Sequence, residues 1–190
     1  MTHAAETAFV RCLSGLRAAP KPIRAEPGKP VAPQVYLSWD AEQAQVALDV
    51  ADDPGTLLTM SAEITGTPRW ITLSIALGTA EFVVGEVLGL AVRAEGALVL
   101  APFLRSRRGE TMQDTGFGES LSLGMGAQPG VLLHKLTGGD PMVGPAQFHT
   151  LILPLPKHSF RLRLLDLRLF VLPAALGAEP DLPRLGSFAL

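Results

Sequence analysis

The stretch F-R-L-R-L-L-D-L-R-L-F-V-L, from Phe160 to Leu172, limits what this chain can fold into more than any other segment. Its charges at Arg161, Arg163, Asp166 and Arg168 scatter around a helical wheel, so no apolar stripe survives at a helical period. At period two it resolves. Phe160, Leu162 and Leu164 share one face against Arg161 and Arg163. After the Leu164-Leu165 doublet the phase flips, and Leu165, Leu167, Leu169 and Val171 oppose Asp166 and Arg168. A one-residue slip in a strand's alternation is what a β-bulge absorbs, so the segment predicts one long strand bulged at the doublet.

From Gln34 onward the chain keeps that rhythm. Val35, Leu37 and Trp39 alternate with Tyr36 and Ser38, and Val46, Leu48 and Val50 lead to the turn sequence D-D-P-G at 52–55. Leu58, Met60, Ala62 and Ile64 form a half-buried file that stops at G-T-P, 66–68. Ile71, Leu73, Ile75 and Leu77 then oppose Trp70, Thr72 and Ser74. Leu88, Leu90 and Val92 run to Glu95-Gly96, read as a hairpin link into Ala97–Arg105, whose two apolar faces suit a central strand. Residues 106–130 are polar and Gly-rich and read as the longest loop, with a short strand near 119–125. Strands at Val131–Thr137, Phe148–Leu153 and Phe160–Leu172 follow. Nine or ten strands without an intervening helical pattern predict an all-β fold, an antiparallel β-sandwich of jelly-roll type spanning 34–173.

The ends differ in composition. Ala4 to Arg17 reads as a short helix with Phe9, Leu13 and Leu16 on one side. Prolines at 20, 22, 27, 30 and 33 are too dense for helix or central strand. Residues 1–33 are therefore expected to be an N-terminal arm that docks on a protein partner or a second copy. Residues 174–190 are expected to be a Pro- and Gly-containing tail. The positive mean hydropathy, +0.29, is consistent with apolar surface that closes against another subunit.

A net charge of −2 and a pI near 6.1 provide no field for gathering phosphate backbones, which argues against nucleic acid as partner. No apolar run is long enough to span a membrane, and Glu6 and Arg11 interrupt any secretory core, so synthesis without a signal peptide, in the cytoplasm, is expected. The single Cys12 excludes an internal disulfide. Catalytic patterns fail one by one: Gly118-Glu119-Ser120 lacks the closing glycine of a nucleophile elbow, and G-M-G-A-Q-P-G at 124–130 misses dinucleotide spacing. His134, His149 and His158 stand at no metal-ligand spacing. The reading is of no cofactor, no metal and no catalysis.

Two features point to recognition. Trp70 shares the polar side of its strand with Thr72, offering a flat ring for stacking a sugar. F-L-R-S-R-R-G-E at 103–110 places Arg105 and Arg107 at a strand end with Glu110 and Asp114 close by, and arginine forks bind hydroxyl pairs, carboxylates or acidic glycans. The succession W-I-T-L-S-I-A-L, G-E-V-L-G-L-A-V-R-A-E-G, L-V-L-A-P-F-L-R-S and the closing strand resembles jelly-roll β-sandwiches of the carbohydrate-binding-module type. That resemblance implies a noncatalytic domain holding a glycan on a sheet face or in edge loops. The chain departs from the pattern in its few aromatics and its lack of asparagine. A structural subunit of an oligomeric, phage-like particle or spike is the alternative, and a carbohydrate-active enzyme the third.

Overall fold

The computed structural model describes residues 2–177. One helix, α1 (Ala4–Ala18), is followed by the strands β1 (Ile23–Arg24), β2 (Pro30–Ala32), β3 (Val35–Trp39), β4 (Ala44–Ala51), β5 (Leu58–Gly66) and β6 (Ile71–Phe82). Then come β7 (Val87–Glu95), β8 (Leu98–Leu100), β9 (Phe103–Arg108), β10 (Thr111–Gly116), β11 (Leu121–Leu123), β12 (Gln128–Lys135), β13 (Gly144–Pro154), β14 (Phe160–Leu172) and a final turn of helix, α2 (Ala174–Gly177). The first sheet runs β1-β4-β5-β14-β7-β12, the second β10-β9-β13-β6-β3-β2, and β8 pairs with β11 apart from both. The paired strands are antiparallel, and the inward files of the two large sheets form one core. The expected all-β sandwich is the fold observed.

β14 behaves as its sequence dictates. Leu162 and Leu164 are buried, then Leu167 and Leu169, and the pairing with β7 shifts register between Leu164 and Asp166. The bulge at Leu165 turns the second apolar file back into the core. Trp39, expected inside, is 6% exposed.

Three expectations are corrected. First, the described residues of the expected arm, 2–33, are part of the sandwich. β14 parts from β5 after Leu164, and β6 parts from β3 after Ile75, so both sheets leave a bare strand edge at the same place. α1 fills that slot and packs on β6 and β14. Ala5, Phe9, Cys12, Leu13 and Leu16 are buried, so the helix's apolar side is spent inside its own chain. Its polar groups serve the exposed edges: the Cys12 thiol donates to the Ala76 carbonyl at 3.3 Å, and the Val171 amide donates to Glu6 Oε1 at 2.6 Å. Covering a bare edge removes a template for unwanted pairing. Of the prolines that follow, Pro30 lies in the edge strand β2 beside β3, where a missing amide need cost no ladder bond, and the other four flank β2 and the short β1 beside β4.

Second, Glu95-Gly96 is no hairpin link. β7 pairs with β14 and β12, whereas β8 pairs with β11. Gly96 crosses the backbone of β14 so closely that a Cβ would lie 2.8 Å from the Arg161 carbonyl oxygen, and the chain leaves the first sheet there. The run 97–105 accordingly divides at Ala101-Pro102 into β8 and β9. Third, 106–130 is less a loop than expected: beside the short strand foreseen near 119–125, which is β11, it carries the end of β9, all of β10 and the start of β12. β10 hides as a strand because it lies at a sheet edge: five of its six residues are exposed, so no alternation marks it. Of the expected tail, residues 178–190 lie outside the described residues.

Candidate functional site

The outer face of the second sheet collects the side chains that sequence reasoning singled out. Where Leu104, Leu151, Ile75 and Val35 point into the core, their neighbours in each strand point away. Cross-strand register aligns these in rows. Phe103, Ile152, Ser74 and Tyr36 stand side by side across β9, β13, β6 and β3. One step along, Asp114, Arg105 and Thr150 form the next row, and beyond it stand Met112, Arg107 and Phe148. In the opposite direction Pro154, Thr72 and Ser38 align, with Trp70 just before β6 at the far end. From Phe148 to Trp70 the face extends about 27 Å at the usual rise of a strand.

Trp70 is 44% exposed while Ile71 beside it is buried, which fixes the ring on the solvent side. Its backbone is held from beneath. The Asp40 amide donates to the Trp70 carbonyl at 3.1 Å, and Arg69 donates to the Asp40 carboxylate from its backbone amide at 3.1 Å and from Nε at 2.7 Å. Hydrogen bonding from the Arg69 guanidinium holds the Asp40 carboxyl down at about 2. The turn is thus pinned by a charged clasp while the indole stays free.

Arg105 and Arg107 each lie over a phenylalanine. The Arg105 guanidinium carbon is 5.4 Å from the Phe103 ring centre and that of Arg107 is 5.6 Å from Phe148, distances at which the ring quadrupole attracts a cation. The Arg105 fork is already occupied: Nε and Nη2 each donate to Asp114 at 2.8 Å. Arg107 forms no ion pair among the described residues. Glu110 is the one predicted residue not on this face; it sits in the Gly109-Glu110 turn that joins β9 to β10. Sequence reasoning overlooked Tyr36, Phe103 and Phe148. Their signal was present, since each alternates with a buried neighbour, but only pairing register shows that they meet.

On the inner side of the same strands lies a Ser–His pair. The Ala80 carbonyl can only accept, so His149 Nε2 carries the proton that bridges to it at 3.2 Å, and Nδ1 accepts from Ser106 Oγ at 2.9 Å. His149 is fully buried and Ser106 is 2% exposed. Burial pushes the imidazole pKa below 6.5 and keeps it neutral. Phe82 meets the imidazole edge-on at 4.9 Å. A base and hydroxyl sealed from solvent in this way serve packing; they cannot reach a substrate.

The chain matches no family model and no curated protein sequence. Among solved structures it is similar to a carbohydrate-binding module, CBM4, at 12% identity and a TM-score of 0.50, over 80% of this chain and 96% of that one. It is similar also to a cyclase from Fischerella sp. TAU in complex with 4-(1H-indol-3-yl)butan-2-one, at 12% identity and a TM-score of 0.51, over 84% of this chain and 94% of that one. The chain therefore has the jelly-roll sandwich of the carbohydrate-binding-module type. The same architecture serves binding in one neighbour and catalysis in the other, so the fold leaves the choice to the site.

Proposed function

We propose that this protein is a noncatalytic carbohydrate-binding module that holds an extended glycan across the outer face of its second sheet. The observation that carries the reading is the single face shared by Trp70, Thr72, Arg105, Arg107 and Asp114, joined there by Tyr36, Phe103 and Phe148. Flat rings stack on the apolar faces of sugars, and hydroxyl, amide and guanidinium groups between them bond the sugar hydroxyls. The face is built on strands, which hold such groups in place before the ligand arrives and so lower the ordering cost of binding. A glycan array followed by titration calorimetry tests it. Trp70→Ala and Phe148→Ala should each abolish or strongly weaken binding with an unchanged melt. Full binding by both variants overturns the reading, as does turnover of a bound glycan.

A second reading, an assembly role, draws on a different surface. β12 is the free edge of the first sheet, and its outward Val131 and Leu133 are 54% and 56% exposed. An apolar edge strand of this kind is suited to pairing with another copy. Light scattering coupled to gel filtration decides it: Val131→Lys with Leu133→Lys should convert a defined oligomer to monomer, and a wild-type monomer removes the reading.

A further inference from the structure

The two arginine-on-phenylalanine pairs differ in one respect that bears on what the face selects. Arg105 is neutralised by the two bonds to Asp114. Arg107 is oriented by Phe148 yet donates to no carboxylate. Beside Phe148 the seam between α1 and the second sheet opens into a pocket of about 390 Å³ lined by Arg11, Gln34, Gly78 and Phe148. Arg11 is exposed on α1 and likewise forms no ion pair among the described residues. The nearby acid of α1, Glu6, is committed to the Val171 and His3 amides, and Glu81 of β6 pairs with neither arginine. One unspent guanidinium, that of Arg107, therefore stacks on Phe148, and a second, that of Arg11, lines the cavity that Phe148 borders. At Gly78, with φ of 73°, a Cβ would meet nothing within 4 Å, so the cavity floor is backbone open to a ligand.

From this we infer that the Arg107–Phe148–Arg11 end of the face is a carboxylate subsite, and that the module binds acidic, uronate-containing glycans. The inference rests on the glycan reading above and adds its charge selectivity. A guanidinium fork matches a carboxylate in two parallel bonds, and an aromatic ring beneath holds the fork in its plane. A neutral sugar offers these cations hydroxyl hydrogen bonds but no opposite charge, and so gains less from them. Asp114 sets the opposite condition one row away, where its own carboxylate already fills the Arg105 fork.

Titration calorimetry of the full chain with tetragalacturonate and with cellotetraose provides the test. Tetragalacturonate should bind the tighter, and its affinity should fall as sodium chloride rises, since exposed charges are screened. Arg107→Gln and Arg11→Gln should each weaken it roughly ten-fold, the loss of one charge-assisted contact. Asp114→Asn should tighten it by freeing the Arg105 fork. Equal affinities for the two ligands, or tetragalacturonate binding unaltered in Arg107→Gln and Arg11→Gln, overturns the carboxylate subsite and leaves the glycan reading standing. Binding of neither ligand, with a blank glycan array, overturns both.

Discussion

The two sides of β9 and β13 carry much the same chemistry and put it to opposite use. On the inner side Ser106 and His149 are sealed, and each ring nitrogen of the histidine has its partner. On the outer side Arg105, Arg107 and Phe148 alternate with them in the same strands and stand in solvent. A buried polar group must satisfy itself at once or cost the fold its desolvation energy; an exposed one can wait for a ligand. Residue type does not tell the two roles apart. The direction of a side chain across the pleat does.

The sharpest way to break this contrast is to remove the inner histidine. His149→Ala deletes both hydrogen bonds and opens a void, and should cost about 2–5 kcal/mol in denaturant unfolding. A loss below about 1 kcal/mol would mean the pair is not the structural element described. The pH dependence sharpens the same point. Burial lowers the folded pKa of His149 below 6.5, so the unfolded chain takes up the proton first. Stability should then be fully present above pH 6.5 and decline as the pH falls through the depressed folded value. His149→Gln should flatten that part of the profile, and a profile identical in both proteins would break the assignment. The Asp40 clasp acts lower, present above pH 3.8 and lost toward its folded value of about 2.

A smaller effect is expected at Thr115, on the inner side of β10 next to the outward Asp114. Its hydroxyl is buried with no hydrogen-bond partner among the described residues. Thr115→Val removes an unsatisfied group at constant shape and should raise stability by up to ~1 kcal/mol, read from the shift in unfolding midpoint. Destabilisation would show that the hydroxyl is satisfied in solution. The smallest change in stability belongs to the outer side: Trp70→Ala should move unfolding by no more than about 0.5 kcal/mol while binding is lost. A large drop would place the indole in the structural half of the comparison.

How far the chain could be read beforehand follows from where its signals lie. β14 was legible down to its bulge, because a doublet between two alternating files has one simple solution in a sheet. β10 was not, since an edge strand with solvent on nearly all sides carries no alternation. The proline-rich segment excluded a central strand, but pairing at an edge leaves no composition mark, so β1 and β2 went unseen. Within the site, Trp70, Thr72, Arg105, Arg107 and Asp114 could be picked one at a time. Their meeting with Phe103 and Phe148 depends on pairings of residues more than forty positions apart, such as Phe148 with Arg107. The destination of α1 was hidden for a similar reason: its apolar stripe announces a buried side but does not say against what.

Amino-acid order alone settled the strand class, most of the inward files and the outward side of Trp70, because alternation across a pleat is a local property of the chain. Tertiary structure decided the rest. It set the two sheet orders, placed α1 in the slot where β3 and β5 fall short, enclosed Ser106 with His149, and left Arg107 uncommitted where Arg105 is neutralised. Those outcomes rest on which strands stand side by side, and that is fixed by burying the whole apolar surface together rather than by any one segment.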